Sequence, residues 1–377
     1  MKRIAFLTGT RADFGKIKSL LQILQCNDEF EPHIFVTGMH LLQEYGYTFI
    51  EIEKTGFKNI STFQNFTHET TMDLTLAKTI EGFSTYIKKI KPDLIVVHGD
   101  RVEALAGAIV GSLNNILVAH IEGGELSGTV DELIRHSVSK LSHIHFVSNQ
   151  EAKKRLLQMG EIPSSVFIIG SPDIDIMFSK SLPSIAEVKT YYEIPFQQYA
   201  IAMFHPVTTE IELIEVQLEN YIEALLLSEQ QYVVIYPNND LGSSKIIESY
   251  HKLREGSNFR VLPSLRFEYF LTLLKNSDFI IGNSSAGVRE APYYGVPALN
   301  IGTRQKNRVK TKAVFNCGYQ KNEILDALKK PENSTVEKHI ISFGNGKSAE
   351  KFLNCLTSQN IWQLNHQKQF KDFNFYE

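Results

Sequence analysis

Cysteine is scarce: three in 377 residues, Cys26, Cys317 and Cys355, far apart and without a CxxC pair. That excludes a disulfide scaffold or a cysteine zinc centre and reads as reduced thiols in a cytoplasmic protein. Long apolar runs are missing too. No uncharged stretch approaches the ~18 residues that a membrane-spanning helix needs. The opening Met1-Lys2-Arg3 and Ile4 to Leu7 is too short an apolar core for a signal peptide and reads as a first buried strand. Neither sign of charge dominates, since 39 Lys and Arg stand against 42 Asp and Glu for a formal net charge of -3. Nucleic acid and anionic membranes are therefore not expected partners, although a local basic site for one phosphorylated ligand stays open. The basic run Arg304, Lys306, Arg308, Lys310, Lys312 has no interleaved aromatics and reads as a mostly solvated loop. His120, His136, His143 and His145 form neither HExxH nor a cysteine-histidine set, so no metal is expected.

What is present is an average globular composition, 43% hydrophobic and 21% charged. At ~150 residues per domain the length implies two to three domains. One core of this size is unusual, so two domains with a cleft between them are expected.

Short apolar runs alternate with helical patterns along most of the chain. Ile4–Leu7, His33–Val36, Leu94–Val97, Ile116–Ile121, Ile144–Val147 and Val166–Ile169 read as buried strands, with helices such as the one bearing Ile17, Leu20, Leu21 and Leu24 between them. The rhythm weakens after Gly170-Ser171-Pro172-Asp173, then restarts with Tyr199–Phe204, Tyr232–Tyr236, Phe259–Leu262, Phe279–Ile281 and Ala298–Ile301. This alternation predicts an α/β protein of two doubly wound, Rossmann-like domains facing a cleft. The expected divisions are 1–170, 171–359 and an amphipathic helical tail, 360–377, bearing Trp362 and packing back on the first domain.

In parallel sheets ligands sit beyond the carboxyl ends of the strands. The first strand ends in Thr8-Gly9-Thr10-Arg11-Ala12-Asp13-Phe14-Gly15-Lys16, where glycines and a lysine suggest phosphate contact. It is neither a Walker A loop nor GxGxxG, so nicotinamide binding is not expected. Later strands end in His98-Gly99-Asp100-Arg101 and in His120-Ile121-Glu122-Gly123-Gly124-Glu125, the latter running on through Gly128 to Asp131. Clustered carboxylates suit proton abstraction and delivery, because neighbours push their pKa values apart. Asp131 also sits where a helix starts and is equally placed to cap it. In the second half His205-Pro206 follows a strand, where the histidine is placed to donate to a pyrophosphate. Tyr236-Pro237-Asn238-Asn239-Asp240 ends the next strand, with Asn239 a candidate contact. Gly282-Asn283-Ser284-Ser285-Ala286-Gly287-Val288-Arg289-Glu290 follows a third. Small hydroxylated residues entering a helix offer donors to phosphate, and Glu290 is placed to accept from both ribose hydroxyls.

These segments, with Gly302-Thr303-Arg304-Gln305, resemble the hydrolysing UDP-N-acetylglucosamine 2-epimerases that open sialic acid biosynthesis in bacteria and in the bifunctional animal enzyme. The likeness runs over about residues 1 to 350, is nearest the bacterial capsule-pathway members, and is most specific from His120 to His136. It implies the two-domain glycosyltransferase-B fold, no cofactor, a homodimer, and conversion of UDP-GlcNAc and water to N-acetylmannosamine and UDP. The implied route eliminates UDP to give 2-acetamidoglucal, then adds water with the opposite C2 configuration. By motif match Asp100, Glu122 and Asp131 correspond to the site carboxylates, with the proton-taking and proton-giving roles left open among them. His205 corresponds to a diphosphate-facing histidine, Arg11 and Lys16 to sugar-phosphate contacts, Ser284 and Ser285 to diphosphate binders, and Glu290 to a ribose clamp. Asn239, Asn283, Arg304 and Arg308 complete the implied substrate contacts. Non-hydrolysing relatives carry His-Arg where this chain has His205-Pro206, which favours the hydrolysing branch; many relatives have Gly where this chain has Asn307. The alternatives are the same chemistry on UDP-N,N'-diacetylbacillosamine, a UDP-sugar glycosyltransferase, or a non-catalytic sensor of sugar nucleotides.

Overall fold

A computed structural model of the chain describes residues 1–66, 71–127, 129–305, 312–330, 343–369 and 371–372. The first sheet has seven strands: β1 (Lys2–Thr8), β2 (Phe30–Val36), β3 (Ile60–Thr62), β4 (Leu94–His98), β5 (Leu117–Ile121), β6 (Ile144–Val147) and β7 (Val166–Ile168), in the order β3-β2-β1-β4-β5-β6-β7. The second has six: β8 (Ala200–Met203), β9 (Tyr232–Ile235), β10 (Phe259–Leu262), β11 (Ile280–Gly282), β12 (Ala298–Ile301) and β13 (Val314–Cys317), in the order β10-β9-β8-β11-β12-β13. Every pairing is parallel, from Ile4 against Leu94 in the first sheet to Ile280 against Ile201 in the second. A parallel sheet must be covered on both faces, which is why its strands read as unbroken apolar runs. Each sheet accordingly separates two apolar clusters, with Phe6 and Val96 on one side of the first sheet and Leu7 and Val97 on the other.

Strand order reverses between β1 and β4, and again between β8 and β11. At such switch points the connecting loops diverge and leave a crevice. The second crevice depends on Gly282, whose φ of +133 no side chain tolerates and whose β-carbon would lie 1.9 Å from the Met203 carbonyl oxygen.

The eleven expected strands are present, with β3 and β13 added at sheet edges. The tail differs from expectation. The helix lies at Ser348–Thr357, ahead of 360, and is followed by a 3-10 turn over Gln359–Gln363 with no further helix in residues 364–369. A polar, proline-free sequence gave little to fix that end. Phe352, Leu356 and Ile361 lie in the core of the first sheet, and the Trp362 indole donates to the Leu356 carbonyl at 2.8 Å.

The two lobes meet face to face. Glu51 pairs with Arg266 at 2.7 Å, Lys18 bonds Glu268, and Arg101 reaches Asn239 at 2.8 Å. Gly15 was expected to let the backbone approach a phosphate. Instead it lies inside the helix Arg11–Gln25, and the space its side chain would fill holds the ring of Phe267 from the other lobe.

Candidate active site

The carboxyl ends of β1, β4 and β5 deliver Asp13, His98, Asp100 and Glu122 to one wall of the cleft. Glu122 stands at φ +63, a left-handed conformation that costs on the order of 1 kcal/mol or more for a residue with a β-carbon. Its ion pairs hold it there. Arg289 donates to both carboxylate oxygens at 2.8 and 2.6 Å, Ser171 donates its hydroxyl, and Lys16 Nζ lies 3.7 Å away. Burial alone would raise this carboxyl; Arg289, Lys16 and His98 outweigh it and hold it well below the ordinary range.

Lys16 is ringed by acid, with Asp173 at 3.4 Å and Glu290 at 3.9 Å besides Glu122. Burial and Arg289 act to lower its pKa, but the three carboxylates prevail and leave it raised. His98 holds Asp13 through Nδ1 at 2.8 Å and faces Glu122 with Nε2 at 3.4 Å. Burial opposes its charging, yet the hydrogen bonds to Asp13 and Glu122 carry it up to about 9.

Asp131 was expected to be drawn to either of two tasks, and the helix settles the local one. The helix Val130–Leu141 is capped by Thr129, whose hydroxyl accepts from the Asp131 N–H at 3.3 Å. The Asp131 side chain is thereby free to face the cleft, 3.5 Å from Arg304. Burial, then the charge of Asp100, raises its pKa. Asp100 itself is bonded to the buried Arg135, four residues further along the same helix as Asp131.

On the opposite wall His205 is buried and neutral, its pKa held well below 6.5 by burial and then by Arg304 and Arg101. Its Nδ1 accepts from the Asn238 N–H at 3.2 Å, which leaves Nε2 as the ring's proton donor. Glu290 is buried with Oε2 unpartnered, and burial raises its pKa. Arg11 likewise has two buried guanidinium nitrogens without partners.

Two adjoining cavities result. One, of about 120 Å³, is walled by Asp13, His98, Asp100, Glu122, Asp131, Arg289 and Arg304. The other, of about 150 Å³, is walled by Arg11, Met203, His205, Tyr236, Pro237, Phe267, Phe270, Ser284 and Glu290. Thr10, Ala12, Lys16, Asn238 and Ser285 border both, so the acidic chamber adjoins the apolar one. That is a shape for a ligand with a polar, reacting end and a flat, apolar end joined by an anionic bridge.

The family model described as UDP-N-acetylglucosamine 2-epimerase matches residues 22–357. A UDP-N-acetylglucosamine 2-epimerase of Neisseria meningitidis serogroup B is 47% identical over 377 residues, covering 99% of this chain and 100% of that one. The chain belongs to the UDP-N-acetylglucosamine 2-epimerase family. A hydrolyzing UDP-N,N'-diacetylbacillosamine 2-epimerase of Legionella pneumophila is 34% identical over 93% of this chain and 94% of its own. Among solved structures, the Methanocaldococcus jannaschii UDP-GlcNAc 2-epimerase in complex with UDP-GlcNAc and UDP shares the fold, with a TM-score of 0.81 at 23% identity over 95% of this chain and 99% of that one.

Among the residues that the epimerase resemblance implies, Asp100, Glu122, Asp131, Lys16, Ser285 and Arg304 border the acidic cavity. Arg11, Lys16, His205, Ser284, Ser285 and Glu290 border the apolar one. Asn239 lies in a recess beside them with Asp100, Asp131 and Asp240, and accepts from Arg101. Asn283 borders neither cavity. It is fully buried, accepts from the His205 N–H at 2.7 Å and donates to the His205 carbonyl at 2.8 Å, so it orients the histidine from beneath. Arg308 and Gly128 lie outside the described residues. Sequence reasoning passed over Arg289, Asp173, Ser171 and Arg135; the only signal was one arginine amid small and apolar residues at 284–292.

Proposed function

We propose that the chain is a hydrolysing UDP-GlcNAc 2-epimerase, releasing N-acetylmannosamine and UDP and serving the first step of sialic acid synthesis. The observation that carries this reading is the adjacency of the acidic cavity and the apolar one, both bordered by Lys16 and Ser285. It suits a sugar on the carboxylate wall, a diphosphate at the junction, and a uridine between Tyr236, Pro237 and Phe270. On this reading the division of labour follows the two lobes of a cytoplasmic homodimer, with the helix Ser348–Thr357 belonging to the first lobe although it falls inside the expected 171–359. Among the described residues no helix is long and apolar enough to cross a membrane.

The C2–H of the sugar is not acidified by a carbonyl, so inversion proceeds through elimination. A base takes the C2 proton as the C1–O bond to UDP breaks, leaving 2-acetamidoglucal. Water then adds at C1 and a proton returns to C2 on the other face. Asp131, with its proton affinity raised by burial and by Asp100, suits a group that takes up and gives back a proton. Glu122 is held ionised and suits stabilisation of positive charge developing at C1. The neutral His205 offers Nε2–H to the leaving diphosphate, beside the hydroxyls of Ser284 and Ser285.

Incubation with UDP-GlcNAc in D₂O, read by NMR, tests this. UDP release with N-acetylmannosamine deuterated at C2 is expected; unlabelled product, or binding without turnover, sinks it. The 47% identity with the Neisseria epimerase, against 34% with the Legionella diacetylbacillosamine enzyme, supports UDP-GlcNAc over the 2,4-diacetamido sugar, and parallel assays of both substrates decide between them.

A further inference from the structure

Beyond the Gln359–Gln363 turn the chain runs behind the first sheet, away from the cleft, and fastens onto the far end of the helix Val130–Leu141. The Lys368 ammonium lies 3.1, 2.9 and 2.7 Å from the carbonyl oxygens of Ser139, Lys140 and Ser142, and 2.5 Å from Glu161 Oε2. Those are carbonyls of the helix's last turn and its C-cap residue, where carbonyls run short of partners within the helix; the Ser139 carbonyl also accepts from the Ser142 N–H. A cation there also opposes the negative end of the helix dipole. Glu161 is buried and anchors the arrangement, holding His145 at 2.9 Å and Lys140 at 3.0 Å. His366 adds a second tie, its Nδ1 2.6 Å from the Asn115 carbonyl and its own carbonyl 2.9 Å from His143 Nε2.

The same helix presents Asp131 and Arg135 to the acidic cavity at its other end. Only one face of it is held by the core. Ile134 and Val138 are buried, but the flank bearing Leu133, His136 and Ser137 faces an open hollow, and Leu133 is 67% exposed. A 12-residue helix is a stiff rod of roughly 18 Å, so a loosened end moves the other. The clamp also works through Ser139, whose hydroxyl meets His120 Nδ1 at 3.0 Å while His120 Nε2 meets the Gly99 carbonyl, next to Asp100, at 2.8 Å.

We propose that Lys368 is a positioning residue for the reaction, fixing from behind where Asp131, Arg135 and Asp100 stand in the cavity. It touches no substrate. The kinetic part rests on the epimerase reading; the structural part does not. In the full chain, Lys368→Met should lower kcat for UDP-GlcNAc by about 10- to 100-fold, as expected for sub-ångström to ångström misplacement of reacting groups. KM should hold within about twofold, since the nucleotide cavity is remote from the clamp, and Lys368→Arg should restore most of kcat. Hydrogen exchange followed by mass spectrometry should show faster exchange in residues 130–141 of the Met variant and unchanged exchange in β8–β12. Lys368→Gln, which keeps an N–H donor, is read the same way should the Met variant fold poorly. Unchanged exchange in 130–141, unchanged kcat, or equal losses in kcat and exchange protection across the whole chain would overturn the proposal. If the wild type fails to turn over UDP-GlcNAc, the epimerase reading falls, and the exchange result alone judges the clamp.

Discussion

Arg289 of the second lobe and Glu122 of the first meet as a two-pronged pair, nitrogen to oxygen at 2.8 and 2.6 Å, both side chains almost wholly buried. Glu125 at 2.9 Å and Asp173 at 3.7 Å share the same guanidinium. Removing it strips Glu125 of this ion pair and leaves the buried Glu122 and Asp173 to Lys16, with His98 beside Glu122. Arg289→Met should therefore destabilise the protein by about 3–5 kcal/mol, and Arg289→Lys should recover little of this, because a point charge cannot span two oxygens. Denaturant unfolding gives the comparison; a Met variant within ~1 kcal/mol of wild type would contradict the role.

Asp100→Asn and Asp131→Asn should each lower kcat by about 100-fold or more, the usual scale of general acid–base contributions. UDP affinity should persist in both, since neither residue borders the apolar cavity. Calorimetric titration with UDP, alongside the turnover assay, separates the two effects; a fully active Asn variant removes that residue from proton transfer.

His98 predicts a pH dependence of stability. Its folded pKa is raised from 6.5 to about 9, so the protonated ring is favoured by folding. The stabilisation is complete below about 6.5 and is lost as pH rises through about 9. At 1.36 kcal/mol per unit the loss amounts to about 3 kcal/mol. Unfolding free energies measured at about pH 6 and about pH 9.5 should differ by that order in wild type and much less in His98→Gln. Parallel slopes in the two proteins would refute it.

Gly15→Ala sets two effects against each other. In an exposed helix the change stabilises by about 1 kcal/mol. Here the new β-carbon would lie 2.6 Å from Phe267 Cγ and 2.7 Å from its Cβ, atoms that cannot swing away without moving the helix Phe267–Lys275. The clash should win, raising KM for the nucleotide sugar by forcing the lobes apart. An alanine variant with unchanged KM and a higher melting temperature would show that the interface yields freely.

Strands buried on both faces were legible because their apolar runs are continuous, as in Leu94–Val97. β3 and β13 escaped notice, being three and four residues long at sheet edges, with mixed burial and no such run. The acids Asp100, Glu122 and Asp131 were legible from their place after strands and from the family motif. What pairs with them was not. Arg289 lies 167 residues from Glu122, and nothing in its local sequence distinguishes a buried clamp from a surface arginine. Asn283 carries the opposite lesson: a motif residue that borders neither cavity serves the backbone of His205 instead.

The return of Phe352, Leu356 and Ile361 to the first core also orders events during synthesis. A chain emerging from the ribosome exposes the six strands of the second sheet before those three side chains exist outside the tunnel. The later-made lobe thus has all its core in hand first, and the earlier-made one waits with an open apolar face beside Phe6 and Phe146. Translation that stalls after Phe343 has emerged but before Phe352 has would leave a second lobe with its core complete attached to an unfinished first lobe, with exposed apolar surface of the kind chaperones bind.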